Sequence, residues 1–166
     1  DREKMQTQLQ SVTAILETAQ KDLRVLLLHL RPVELEQKGL VEGIQILLKE
    51  LEDKSDLKVS FKQNVTKLPK KIEEHIFRIL QELISNTLRH AQASCLDVYL
   101  YQTDFELQLK VVDNGIGFQL GSLDDLSYGL RNIKERVEDM AGTVQLLTAP
   151  KQGLAVDIRI PLLDKE

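Results

Sequence analysis

Phe77-Arg78-Ile79-Leu80-Gln81-Glu82-Leu83-Ile84-Ser85-Asn86-Thr87-Leu88-Arg89-His90-Ala91 is the stretch on which the reading of this chain turns. With Ile72 and Ile76 upstream, its apolar residues Ile79, Leu80, Leu83, Ile84 and Leu88 recur at the period of a helix that buries one face. Pro69 stands where the first turn of a helix tolerates a residue without an N–H. On such a helix Glu82 and Asn86, four positions apart, lie one above the other, and Arg89 and His90 extend that face by a turn. A carboxylate, an amide oxygen and a cation so arranged could hold a divalent metal, place a water and meet a phosphate, the elements that phosphoryl transfer requires. Taken alone, the helix is equally compatible with Glu82 and Arg89 solvating an exposed stripe.

Two strands are expected after this helix, near residues 95–101 and 105–112, joined as a hairpin through Gln102-Thr103-Asp104. Asp113 ends the second strand, and Asn114-Gly115-Ile116-Gly117-Phe118 follows, where glycines permit positive φ and let backbone approach a ligand closely. A lone Asp-x-Gly-x-Gly is a common structural turn. Its weight here comes from the upstream Glu82 and Asn86 and from a second glycine turn downstream, Tyr128-Gly129-Leu130-Arg131-Asn132. Gly129 is expected to open a helix that runs to Met140, with early N–H groups and the positive dipole end facing an anion such as a triphosphate. Residues 119–127 are polar, acidic and aperiodic, which suits a lid over a nucleotide.

Upstream, Leu40, Ile44, Leu47, Leu48 and Leu51 mark a helix over 39–53, and Leu57, Val59 and Phe61 alternate as a strand. Further strands are expected near 144–147 and 155–160. Helices set among hairpin-linked strands point to an α/β (α+β) fold, a two-layer sandwich of a mixed sheet covered by helices.

The first thirty residues read differently. Met5, Leu9, Val12, Leu16, Ala19, Leu23, Leu26 and Leu30 form a heptad seam, and Pro32 ends it. So narrow a stripe cannot hold a helix in water by itself. It is read as a dimerisation helix, the alternative being a helix packed on its own domain. The division expected is 1–32 and 33–166.

Bulk properties exclude several functions. A net charge of -4 argues against a nucleic-acid partner. The basic cluster from Lys67 to Lys71 reads as a solvated loop ahead of a helix. One cysteine, Cys95, leaves no internal disulfide and fits a reducing, cytoplasmic setting. No run approaches the roughly 20 apolar residues of a membrane span, and no signal-peptide pattern opens the sequence. G-x-x-x-x-G-K-[ST] and G-x-S-x-G are both absent. His29, His75 and His90 are too widely spaced for a histidine metal cluster.

Residues 77–91 resemble the N box of histidine kinases related to nitrate sensors and Gram-positive cell-envelope stress sensors. Residues 113–117 resemble that family's first glycine box. Residues 128–136, with Gly-Leu-x-x-Ile-x-x-Arg, resemble its second, and Leu30-Arg31-Pro32 with Leu35 and Gly39-Leu40 resembles the junction after its dimerisation hairpin. The resemblance implies the Bergerat-type ATP-binding fold shared with gyrase-type ATPases, with ATP and Mg²⁺ as cofactors. It implies that Asn86 ligates Mg²⁺, that Glu82 assists phosphotransfer as a base, and that Arg89 and His90 lie near the phosphates. Asp113 would accept the adenine amino group, and Gly115, Gly117, Gly129 and Leu130 would shape the pocket and lid.

The function implied is the catalytic part of a two-component sensor histidine kinase. It would pass the γ-phosphoryl of ATP to a histidine on an upstream helix and thence to a response regulator. A homodimer through the N-terminal helix and a membrane-bound parent protein, with this portion cytoplasmic, follow from the same resemblance. Two departures stand out. Leu154 follows Gly153 where the family usually has a threonine that contacts the adenine-binding Asp, so one hydrogen bond there is in question. The family's acceptor histidine, followed by Asp, has no match, and His29 lacks that context. The chain is therefore expected to begin after the acceptor and to bind nucleotide without labelling itself. The alternatives are an anti-sigma-factor type serine kinase of the same fold, against which the heptad seam weighs, and a dimerising module with a decayed nucleotide site.

Overall fold

In a computed structural model, which describes residues 2–29, 37–118 and 124–162, the chain divides into two units, residues 1–31 and 32–166. The first unit is a single helix, α1 (Arg2–His29). Its seam residues Met5, Leu9, Val12, Leu16, Leu23 and Leu26 are between 53% and 65% exposed, and Ile15 beside them is 68% exposed. Leu30, Arg31, Pro32 and Leu35 of the expected junction lie outside the described residues.

Among the described residues, the buried apolar side chains all belong to the second unit. Helix α2 (Leu40–Lys54) buries Leu40, Ile44, Leu47, Leu48 and Leu51 at the expected helical spacing. After β1 (Lys58–Gln63) comes the long helix α3 (Lys70–Asn86), whose Ile76, Phe77, Ile79, Leu80, Leu83 and Ile84 are almost wholly enclosed. The helix runs on into a wider π-helical turn, Thr87–Ala91. Then follow β2 (Cys95–Gln102), β3 (Glu106–Asp113), α4 (Asp124–Asp139), β4 (Thr143–Thr148) and β5 (Leu154–Pro161).

The strands form one sheet in the order β1-β2-β3-β5-β4. β1 and β2 are parallel because α3 carries the chain back between them, while the other three pairings are antiparallel. Leu96, Val98, Leu100, Leu107, Leu109, Val111, Val156, Ile158 and Ile160 alternate along the central strands and are buried. Their neighbours Lys110 and Arg159 are exposed, so one sheet face meets the helices and the other meets water. The architecture is the expected two-layer sandwich of a mixed sheet.

One boundary differs. The helix expected to open at Gly129 already begins at Asp124, so Gly129 sits in its second turn. Residues 119–123 of the expected lid lie outside the described residues, and 124–127 belong to α4.

Candidate functional site

Asp113, the last residue of β3, is only 5% exposed. Its Oδ1 accepts hydrogen bonds from the Gly115 N–H at 2.8 Å and the Leu154 N–H at 3.3 Å. Its Oδ2 faces the end of the α3 segment, where the Thr87 hydroxyl lies 3.4 Å away. One carboxylate oxygen is thus held by backbone N–H groups, and the other is met at long hydrogen-bond distance by a rotatable hydroxyl. The hydrogen bond placed in question at Leu154 is answered in part, because the backbone N–H of that residue reaches Asp113 whatever its side chain.

The loop after Asp113 is held on both sides. Asn114 Oδ1 accepts the N–H groups of Ser94 and Cys95, each at 2.9 Å, which ties the loop to the start of β2. The Ile116 N–H donates to the Ala91 carbonyl at 2.7 Å. This approach requires glycine at 115, since a Cβ there would run into the Ala91 carbonyl and side chain. Gly117 has φ +60, the left-handed region that other residues rarely adopt. Thr148 then links this loop to the next one, accepting the Phe118 N–H at 3.1 Å and donating to the Gly153 carbonyl at 2.7 Å.

Between the helix end and this loop lies a cavity of about 160 Å³ lined by Asn86, Thr87, His90, Ala91, Asp113, Ile116, Gly117, Phe118 and Leu154. Asn86 and Asp113 therefore open onto one space, with apolar walls on the side of Ile116, Phe118 and Leu154. Asn86 Nδ2 is buried and hydrogen-bonded to nothing among the described residues. Such an orphan amide is uncommon in a settled core.

Glu82 and Asn86 share one face of α3, as their spacing requires. Both meet Gly129 of α4, where a Cβ would collide with the Glu82 carboxylate unless that side chain shifted and would touch Asn86 Oδ1. Gly129 therefore permits close helix contact, and its N–H, inside α4, is not the free anion donor expected of a first turn.

Of the expected site residues, Asn86, His90, Asp113 and Gly117 line the cavity, Gly115 supports it through its N–H, and Glu82 and Gly129 stand beside Asn86. Arg89 does not join them. It is exposed, whereas Thr87, His90 and Ala91 of the same widened turn line the cavity. Leu130 is half-buried and does not line the cavity. Thr87 and Thr148 gain places that the sequence did not assign them. Thr87 had one legible signal, a hydroxyl set between Asn86 and apolar residues on a buried helix.

A family model described as histidine kinase-, DNA gyrase B-, and HSP90-like ATPase matches residues 71–164. Sensor histidine kinase LiaS of Bacillus subtilis (strain 168) is 40% identical over 148 residues, covering 89% of this chain and 41% of LiaS. Sensor protein VraS of Staphylococcus aureus (strain COL) is 39% identical over 155 residues, covering 93% of this chain and 45% of VraS. The chain thus spans less than half the length of either relative. Among solved structures, Acinetobacter baumannii histidine kinase AdeS matches with a TM-score of 0.61 at 19% identity, over 99% of this chain and 86% of that one. At that identity the likeness establishes the fold alone.

Proposed function

This chain belongs to the histidine kinase-, DNA gyrase B- and HSP90-like ATPases, and from that premise we propose that residues 33–166 bind Mg·ATP as the catalytic part of a two-component sensor histidine kinase. The observation that carries the reading is the shared cavity. Asn86, on a helix, and Asp113, at a strand end, open onto the same space. Asp113 Oδ2 would accept the adenine amino group, and Ile116, Phe118 and Leu154 would give the base an apolar enclosure.

The donor set fits a metal held jointly with its nucleotide. Among the described residues no three His, Cys, Asp or Glu side chains gather to hold an ion by themselves. Asn86 offers one amide oxygen, and Mg²⁺ commonly takes one or two protein ligands plus phosphates and waters. The ion would supply neutralising charge at the phosphates. Glu82, beside Asn86, would take the proton from an attacking imidazole, and His90 stands at the cavity wall. The phosphoryl acceptor is a histidine on a helix not among these residues, from which a response regulator takes the group.

Two copies are proposed to associate through α1, whose exposed seam suits a helical partner. Among the described residues no helix is long and apolar enough to cross a membrane. A cytoplasmic position beneath a membrane-bound sensor segment is part of the same proposal, supported by relatives named as sensors. Those names favour it over a serine kinase of the same fold, and the open cavity with its orphan amide weighs against a decayed site.

Calorimetric titration of the chain with Mg·ATP tests the reading. Binding is expected, and Asp113→Asn should weaken it about tenfold or more, the worth of a hydrogen bond to a charged group. Equal affinity in both proteins would sink the assignment of Asp113. Incubation with radiolabelled ATP should leave the chain unlabelled, and acid-labile label on His29 or His90 would relocate the acceptor.

A further inference from the structure

Resting on the reading of the cavity as an adenine pocket, we propose that Thr87 is a specificity-determining residue whose hydroxyl reads the base at ring nitrogen N1, beside the Asp113 carboxylate. Thr87 is 6% exposed. Its Oγ1 lies 3.1 Å from the Leu83 carbonyl and 3.4 Å from Asp113 Oδ2. A hydroxyl has one proton and two lone pairs, so it can donate to only one partner at a time. The longer distance exceeds a normal O–H···O bond, which leaves that proton uncommitted to Asp113 and able to swing toward a ligand.

Asp113 Oδ1 is already occupied by the N–H groups of Gly115 and Leu154, so Oδ2 is the oxygen open to the cavity. Among the side chains lining that cavity Thr87 supplies the one hydroxyl, facing walls that include Ile116, Phe118 and Leu154. A fixed acceptor beside a rotatable donor matches the pairing edge of adenine, where an amino donor adjoins a ring-nitrogen acceptor. Guanine offers a carbonyl and an N–H in those places. It would set its carbonyl oxygen against Asp113 Oδ2, two acceptors with no proton between them. The Leu83 carbonyl serves as the resting partner of the hydroxyl in the empty pocket, the back-bond common to threonine in helices.

The test compares Mg·ATP with Mg·1-deaza-ATP, which carries C–H in place of N1, by calorimetric titration. The unaltered chain should bind ATP about tenfold more tightly than the analogue, the effect of one buried hydrogen bond. Thr87→Val keeps the shape of the side chain and should hold both nucleotides alike, at the affinity of the unaltered chain for the analogue. Thr87→Ser should restore the preference. Should Thr87→Val lose its circular dichroism signature, Thr87→Ala takes its place, and the comparison on the unaltered chain still decides. Equal binding of both nucleotides by the unaltered chain overturns the role of Thr87 while leaving the pocket intact, as does a full preference surviving in Thr87→Val. No binding of either nucleotide by the unaltered chain overturns the pocket reading and this inference together.

Discussion

Asn86 carries a buried amide nitrogen with no hydrogen-bond partner among the described residues, an arrangement that costs a fold about 1–3 kcal/mol. Removing the amide therefore separates stability from binding. Asn86→Ala should keep its urea midpoint, with stability within about 1 kcal/mol of the unaltered chain because relief of the orphan group offsets lost packing. In the same variant the Mg²⁺-dependent part of ATP affinity should vanish in calorimetry. A large loss of stability with unchanged nucleotide affinity would show a packing residue instead. Gly115→Ala tests the opposite case, since its Cβ would strike the Ala91 carbonyl and side chain. It should lower stability by about 1–3 kcal/mol, the usual range for overpacking, and weaken ATP binding by displacing the N–H that fixes Asp113. The pairing of Glu82 with Asn86 was legible because four-residue spacing on a helix needs no tertiary knowledge. Thr87 was legible only as a hydroxyl on a buried helix, because its role depends on a carboxylate 26 positions away.

At the scale of elements, α4 shows what a sequence pattern reveals and what it hides. Its interior was legible from Ile133 and Val137, both buried at 1% exposure. Its start at Asp124 was hidden by the same polar residues that favour a helix N-terminus. The π-helical turn Thr87–Ala91 was equally hidden, since widening the backbone by one residue leaves no mark on side-chain type; within it His90 lines the cavity and Arg89 is exposed. The C-terminus of α4 carries a local flaw. The Gly142 N–H reaches the Val137 carbonyl at 2.9 Å and the Ala141 N–H reaches the Glu138 carbonyl at 2.9 Å, a Schellman closure with Ala141 at φ +54 where glycine is usual. Ala141→Gly should raise stability by about 0.5–1 kcal/mol, read as a higher urea midpoint. Where α3 meets α4, His75 has its Nδ1 buried without a hydrogen-bond partner among the described residues. Burial first and then Arg136 hold its pKa below 6.5, with Lys71 adding to them and Asp139 and Glu74 opposing. A folded-state pKa below the unfolded one means that stability is complete above about pH 6.5 and falls as acid protonates the unfolded chain first. Urea midpoints measured from pH 8 to pH 5 should decline below that point, and His75→Gln should flatten the decline.

For the molecule as a whole, the sandwich was legible because its layers follow from the alternation of strands and the single-faced period of helices, which local sequence records. The strand order was not, because β5 pairs with β3 between residues such as Leu109 and Ile158, far apart in sequence, and nothing in either strand names its neighbour. The same limit applies to α1, where the sequence shows a seam but not what covers it. That helix exposes Met5, Leu9, Val12, Leu16, Leu23 and Leu26 along its length, and an apolar stripe of this kind is stabilised only by burial against another helix. Sedimentation equilibrium of the chain should show a monomer–dimer equilibrium. Converting Leu9 and Leu16 together to lysine should move it at least tenfold toward monomer, because each charge would need to be desolvated in a seam built for leucine. Nucleotide affinity should be the same in that double variant, since every residue lining the cavity belongs to residues 32–166. A chain that stays monomeric at all concentrations, or a double variant that associates as the unaltered one does, would remove α1 from the dimer interface and leave the nucleotide site untouched.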